Sequence, residues 1–264
     1  MIPAPDRPRR SVALRLLFGF LALGVLLVLR APAAFFAPQL ERLCQQRCVL
    51  GDIDGTLWQG RGSLFARDSN GRTQALLTLG WRFVPGELLH AKLVWLLNIP
   101  GATTAPLVID AQGWQLKQLV TQVPVSAIEP LLEGRLGARG WNGIAHVQIE
   151  QWSCSWNGPR CIGRASLRWT DARVANLAAA VLGDYRLDLG RADATANWTS
   201  SLKAEHGPLW VDVNGMLSNG QFTIKGPAWI DAPARRQLAP LLGAFAPYDA
   251  ARERYNLNIA LPIR

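Results

Sequence analysis

The stretch GDIDGTLWQGRGSL, residues 51–64, holds two readings that lead to different folds. In one, Asp52 and Asp54 form a carboxylate pair at the end of a buried strand, in an α/β protein that handles phosphate. In the other, Gly51, Gly55, Gly60 and Gly62 punctuate a strand–turn–strand, and both acids are turn residues. Glycine supplies unusual dihedrals and lets another backbone come close. The flanks favour the second reading. Asp52 follows CVLG, which is too short and too Gly-broken for a core strand. Downstream, no amphipathic pattern of roughly 10–15 residues supplies the helical crossovers a parallel sheet needs. Thr56, Leu57 and Trp58 are then expected to form the strand that docks, with Trp58 buried.

Outward from this stretch the chain keeps a β texture. Short apolar or alternating runs such as RTQALLTLGWRF, GWQLKQLVTQV, PLWVDVNGML, GQFTIKGPAWI and RYNLNIALPI are separated by Gly, Asn, Asp and Pro. Ser218-Asn219-Gly220 marks a tight hairpin. The run around Ile144, His146, Val147 and Ile149 has the pattern of a half-buried strand. Three segments are expected to be helical: 125–137, broken by Pro130; 172–183, Ala-rich and stopped by Gly183; and 231–245, with Asp231 as N-cap and Pro233 in its first turn. Eleven Trp is high for 264 residues. Trp81, Trp95, Trp114, Trp152, Trp169, Trp210 and Trp229 sit at strand-like positions. They either fill a thin β core or line an apolar sheet face that meets a partner or lipid.

The N-terminus is of a different kind. Between Arg15 and Arg30 lie 14 uncharged, mostly apolar residues. Snorkelling of Arg15 lengthens the usable span. Arg7, Arg9 and Arg10 precede it, so the positive-inside rule keeps residues 1–10 in the cytoplasm. The expected organisation is a cytoplasmic arm at 1–10, a transmembrane anchor at 11–30, a short stalk at 31–48 and one exported β-rich domain at 49–264. A cleaved signal peptide ending at APAA, 31–34, is disfavoured by Pro32 and Arg30. The fold class is therefore mainly β: a membrane helix followed by a mostly antiparallel sheet with a few short helices. Of the net charge of +9, residues 1–30 hold +4, and the rest carry no dense basic run, which argues against nucleic acid.

Export places the domain in an oxidising space. Asn157-Gly158-Pro159 is a turn between Cys154 and Cys161, so these two are expected to form a disulfide. Cys44 and Cys48 then pair locally or stay reduced. Zinc is disfavoured, because C-x3-C with C-x6-C does not match its usual sites.

Asp52-x-Asp54-Gly55-Thr56-Leu57 resembles the first motif of haloacid dehalogenase-type phosphatases. The downstream groups that could complete it, Lys92, Lys117, Asp184 and Asp188, lack the α/β context. No G-x-S-x-G, P-loop or dinucleotide fingerprint is present. His90, His146 and His206 have no motif partners. No catalytic residue, cofactor site or metal site is expected.

The same stretch better resembles the start of the exported domain of type II secretion system protein N. That family has G-x-x-G-T-[LV]-W-x-G-x-[AG] just after a single membrane anchor, filled here by Gly51, Gly55, Thr56, Leu57, Trp58, Gly60 and Gly62. LGWRFVPGELL resembles its next segment through Leu79, Trp81, Pro85, Leu88 and Leu89, and VPVSAIEPLL its middle one. Gly207, Pro208 and Leu209 open a C-terminal segment followed by RRQLAPLLGAF. The four Cys lie outside the pattern, and Leu217 stands where it has a second Gly. The resemblance implies a non-enzymatic, periplasm-facing accessory component anchored in the inner membrane, whose partners are other inner-membrane members of the secretion machine. An anchored, Trp-rich antiparallel domain also resembles AsmA-like proteins, which implies lipid carriage on a sheet face. Helices distinguish the two. A lipid groove requires one continuous apolar face left uncovered, whereas a scaffold requires that face sealed by segments 172–183 and 231–245.

Overall fold

The computed structural model describes residues 8–68, 71–131, 140–158, 161–175, 180–218 and 221–262. Helix α1, Pro8–Leu29, leads through a 3-10 turn, Ala33–Phe36, into α2, Ala37–Leu43, which packs on the first strand. Fourteen strands follow among the described residues: β1 Cys48–Gly55, β2 Gln59–Arg67, β3 Thr73–Phe83, β4 Leu93–Asn98, β5 Ala105–Ile109, β6 Gly113–Pro124 and β7 Trp141–Ser155, then β8 Cys161–Val174, β9 Ala180–Arg191, β10 Trp198–His206, β11 Leu209–Ser218, β12 Gln221–Ile230, β13 Tyr248–Asp249 and β14 Arg254–Pro262. They make one antiparallel sheet in which each strand pairs with its neighbour in sequence, except that β14 lies between β12 and β13. Two short helices interrupt the meander, α3 at Val125–Ile128 and α4 at Arg235–Gly243.

Register explains why one sheet serves as the whole domain. Directly opposed residues share a face, and faces alternate along each strand. Across β7 to β11 one row reads Val147, Leu167, Leu187, Leu202, Val213. One residue along, on the opposite face, the row reads His146, Arg168, Arg186, Lys203, Asp212. One face is therefore apolar and the other polar and charged, the pattern of an antiparallel sheet with one side in water.

The helical expectations fare differently. Segment 172–183 is sheet: Ala172 and Val174 end β8, Ala180 and Leu182 begin β9, and all four are buried while Arg173 and Val181 are exposed. Pairing of Val174 with Ala180 overrides the helix propensity of an Ala-rich run. Residues 176–179 lie outside the described residues. The described part of segment 125–137 holds α3 and a 3-10 turn at Glu129–Leu131, where Pro130 withholds an N–H; residues 132–139 are outside the described residues. Segment 231–245 does hold a helix, but Asp231 does not cap it. Its Oδ1 accepts from Trp210 Nε1 (3.1 Å), and α4 starts after a 3-10 turn at Ala232–Ala234. Ser218 pairs with Gln221, so the connection is two residues long, though Asn219 and Gly220 themselves are not described.

The expected anchor forms a helix, yet among the described residues no helix is long and apolar enough to cross a membrane. The uncharged part, Leu16–Leu29, spans about 21 Å at 1.5 Å per residue, short of a hydrocarbon core of about 30 Å. Its large side chains stand exposed all round the helix, from Val25 at 51% to Phe20 at 73%.

Candidate binding face of the sheet

The apolar face is bounded by two rims made of strand ends. At one rim α4 lies against β12, and its Leu238, Leu241 and Leu242 join one buried cluster with Trp141, Val174 and Leu182. These are buried, Leu238 at 1% exposure and Leu182 at 2%. Along β1–β6 the same rim is covered by the segment 125–131, which runs back over β3 and β2. Arg47, just ahead of β1, donates through Nη1 to the Leu131 carbonyl (3.3 Å) and pins that segment. β3 and β6 also approach each other, within 8 Å between Cα atoms, past the short β4–β5 hairpin. The sheet thus folds around that hairpin.

At the other rim no α-helix lies over the face among the described residues, and the 3-10 turn Pro85–His90 packs beside β4. Trp58, Trp81, Trp95, Trp114, Trp152, Trp156 and Trp198 all sit at or near strand ends there. Trp152 and Trp198 stack at 4.7 Å, reaching over β8 and β9 from either side. Trp58 meets Phe83 edge-on at 4.8 Å, and Phe83 meets Trp95 at 5.2 Å. Between the rims lies a row of half-buried apolar side chains including Leu119, Ile149, Ala165, Leu189 and Ile224, none packed by α4. The face is therefore sealed at one rim only.

The GDIDGTLWQG stretch forms the corner of the tryptophan rim. β1 and β2 are the two strands, and Thr56, Leu57 and Trp58 are the turn between them, not a strand as the spacing implied. Gly55 has φ +99°, and a Cβ there would meet the Gln59 carbonyl oxygen at 2.5 Å, so the turn closes only on glycine. Thr56 Oγ1 accepts from the backbone N–H of Trp58 and Gln59, each at 3.3 Å. Backbone carbonyls of the turn accept in their turn: Thr56 from Trp81 Nε1 (2.9 Å) and Leu57 from Trp95 Nε1 (3.1 Å). Gly60 lies under the Trp81 ring, and Gly51 beside Phe65. Pro85 opens the 3-10 turn Pro85–His90.

This corner also holds the end of α1. Trp58 Nε1 donates to the Val28 carbonyl (2.7 Å), Leu57 N–H to the Ala31 carbonyl (2.9 Å), and Pro32 bridges Thr56. The apolar surface of α1 is thereby joined to the tryptophan rim. Residues Gly207, Pro208 and Leu209 lie at the opposite, helix-covered rim. Leu209 is buried, and the Pro208 carbonyl accepts from Asp231 N–H (2.9 Å). The Tyr185 hydroxyl sits 2.9 Å from the Leu182 and Leu209 carbonyls and serves both with one proton. Burial pushes its ionisation well above the ordinary tyrosine range, and Asp184 adds to the shift.

No catalytic arrangement emerges among the described residues. Asp52 and Asp54 are exposed, and Asp54 faces Arg61 (3.4 Å), another exposed residue. Asp184 and Asp188 lie on β9, far along the sheet from that corner, where Asp188 pairs Arg186 (3.0 Å). His146 faces Thr170 Oγ1 (3.3 Å) on the polar side; His206 stands 3.8 Å from Asp184 and His90 3.9 Å from Glu87. No group of three or more metal-ligating side chains is found among the described residues.

Cys154 and Cys161 oppose each other across the β7–β8 hairpin with their sulfurs 2.05 Å apart. Cys44 and Cys48 are unbridged. Burial, with the neighbouring Cys44 thiol, pushes Cys48 up to about 12, so it stays a thiol at neutral pH and is a poor nucleophile. The central strand of the apolar face escaped sequence reasoning. In GDYRLDLGR, 183–191, Tyr185, Leu187 and Leu189 alternate with Asp184, Arg186 and Asp188, a period-2 signal that names β9.

A family profile, type II secretion system (T2SS) protein N, matches residues 46–258. The match covers most of the chain, from just before β1 into β14, and the protein belongs to that family. No curated protein and no solved structure matches the chain.

Proposed function

We propose that this protein is a non-enzymatic accessory component of the type II secretion machinery, held at the inner membrane by α1 with its β domain in the periplasm. There it supports export of folded proteins across the outer membrane. The observation that carries this reading is the family match over nearly the whole sheet. A helix apolar on every side, with Arg15 and Arg30 at the ends of its uncharged run, supports membrane attachment. In that compartment the Cys154–Cys161 bond is the stable state. Its partners are other inner-membrane components of the machine; the reading calls for no cofactor, metal or nucleic acid. On the polar face Arg168 already pairs Glu205 (2.6 Å).

A strain lacking the chain, complemented with the full protein or one lacking residues 8–29, tests this. Exported enzymes should accumulate in the periplasm without the protein, and only the full chain should restore release. Unchanged export in the deletion strain would sink the proposal. A second reading, AsmA-like lipid handling, draws on the apolar face that α4 leaves uncovered. It predicts normal export with an envelope leaky to a hydrophobic dye.

A further inference from the structure

We propose that the uncovered part of the apolar face seats acyl chains of a membrane phospholipid, admitted at the tryptophan rim where α1 joins the sheet. The inference deepens the lipid reading and rests on α1 being the membrane-facing element.

Three observations converge on this occupant. The first is continuity. The exposed apolar surface of α1 ends at Leu29, and Trp58 binds the carbonyl of Val28 while its ring meets Phe83 edge-on, which in turn meets Trp95 on the apolar face. An unbroken apolar path therefore runs from the helix onto the sheet. The second is the composition of that rim. Tryptophan is the residue that settles at the boundary between headgroups and hydrocarbon. Seven of the eleven Trp gather there, and Trp156 is 55% exposed with its Nε1 already held by the Asp110 carbonyl (2.8 Å). The third is the shape of the seat. From Leu119 on β6 to Ile259 on β14 the row crosses seven strand spacings, about 34 Å at ~4.8 Å each. Acyl chains of one leaflet span about 15 Å, half the hydrocarbon thickness. The seat is long enough for them.

A second copy of the chain fits this face poorly. The helix-covered rim and the Trp152–Trp198 pair stand over it on either side, so a flat sheet cannot lie against the row between them. A narrow, flexible chain can. The seat also lacks charge: Ser200 and Gly215 are its only non-hydrocarbon members from β6 to β14 among the row's paired residues. It would therefore hold the tails and leave the headgroup at the rim.

The test uses the full chain in phosphatidylcholine vesicles doped with a phosphatidylcholine that carries a diazirine at the end of one acyl chain. After photolysis, labelled peptides are mapped by mass spectrometry. The expected label falls on β6–β9 as well as on α1. Ala165→Phe, which fills the middle of the row with an apolar ring, should remove most of the strand label and leave α1 labelling and the circular dichroism spectrum unchanged. Label confined to α1 overturns the seat while leaving the membrane reading standing. No label on either overturns the membrane reading and the seat with it. Strand label absent together with a dimer by light scattering assigns the face to a second copy and also overturns the proposal.

Discussion

The two rims of the apolar face are built from the same strands yet hold different kinds of structure. At the helix-covered rim, Leu182, Val174 and Leu238 lose almost all contact with water. Five and seven residues beyond Leu182 on the same strand, Leu187 and Leu189 remain half-exposed, outside the cluster that α4 packs. The rim that bears Trp58 is held by indole N–H bonds to backbone carbonyls instead of by a packed core. The difference separates stability from use. Burial of apolar area is the main favourable term in folding, so most of the stability belongs to the covered rim. The open stretch keeps apolar surface in reserve for something outside the chain.

Mutations at the two places should differ in size. Leu238→Ala empties a fully buried site and should cost about 3 kcal/mol in urea unfolding. Leu187→Ala, on the open stretch, should cost about 1 kcal/mol or less. Equal losses would show that the two regions are not distinct. Gly207→Ala should cost about 1–3 kcal/mol. Gly207 has φ +117°, and a Cβ would run into the backbone of Gly183. Gly71→Ala, also at positive φ but with nothing nearby, is the matched control and should cost less. Cys154→Ser with Cys161→Ser removes a short cross-link and should lower stability by about 2 kcal/mol on the chain-entropy scale. Dithiothreitol should lower the Tm of the native protein in the same direction and leave that of the double variant unmoved.

The smallest effect sharpens the comparison through pH. Tyr185→Phe leaves two buried carbonyls without their shared donor and should cost about 1 kcal/mol. The folded protein raises the ionisation of Tyr185 above its unfolded value of about 10. The folded state thus holds that proton more tightly. Its stability contribution is full below about pH 10 and is lost as pH rises beyond it. Unfolding measured from pH 8 to 11 should show this decline in the native protein and a shallower one in Tyr185→Phe. Identical slopes would place the alkaline loss elsewhere.

Much of the architecture was legible in the chain. Alternating runs between turn residues marked the strands, and Gly55, Gly60 and Trp58 marked the corner that receives the N-terminal segment. The residues of the binding face were less so. Ala172, Val174, Ala180 and Leu182 suit a helix as well as a strand, and only the pairing of β8 with β9 settled which they are. The face itself needed fourteen strands in register before its rows could be seen.

What the sequence by itself determined is local and periodic: β texture, turn glycines, an apolar N-terminal run, and the order of motifs that marks the family. Those signals survive without tertiary contacts because they come from dihedral preferences and from side chains alternating along one strand. Only the tertiary structure decided that Thr56–Trp58 is a turn clasping α1, that α4 covers one rim and leaves the rest of the face bare, and that seven tryptophans meet at the other. Such facts depend on which strands pair and in what register, and that is a long-range choice no local pattern encodes.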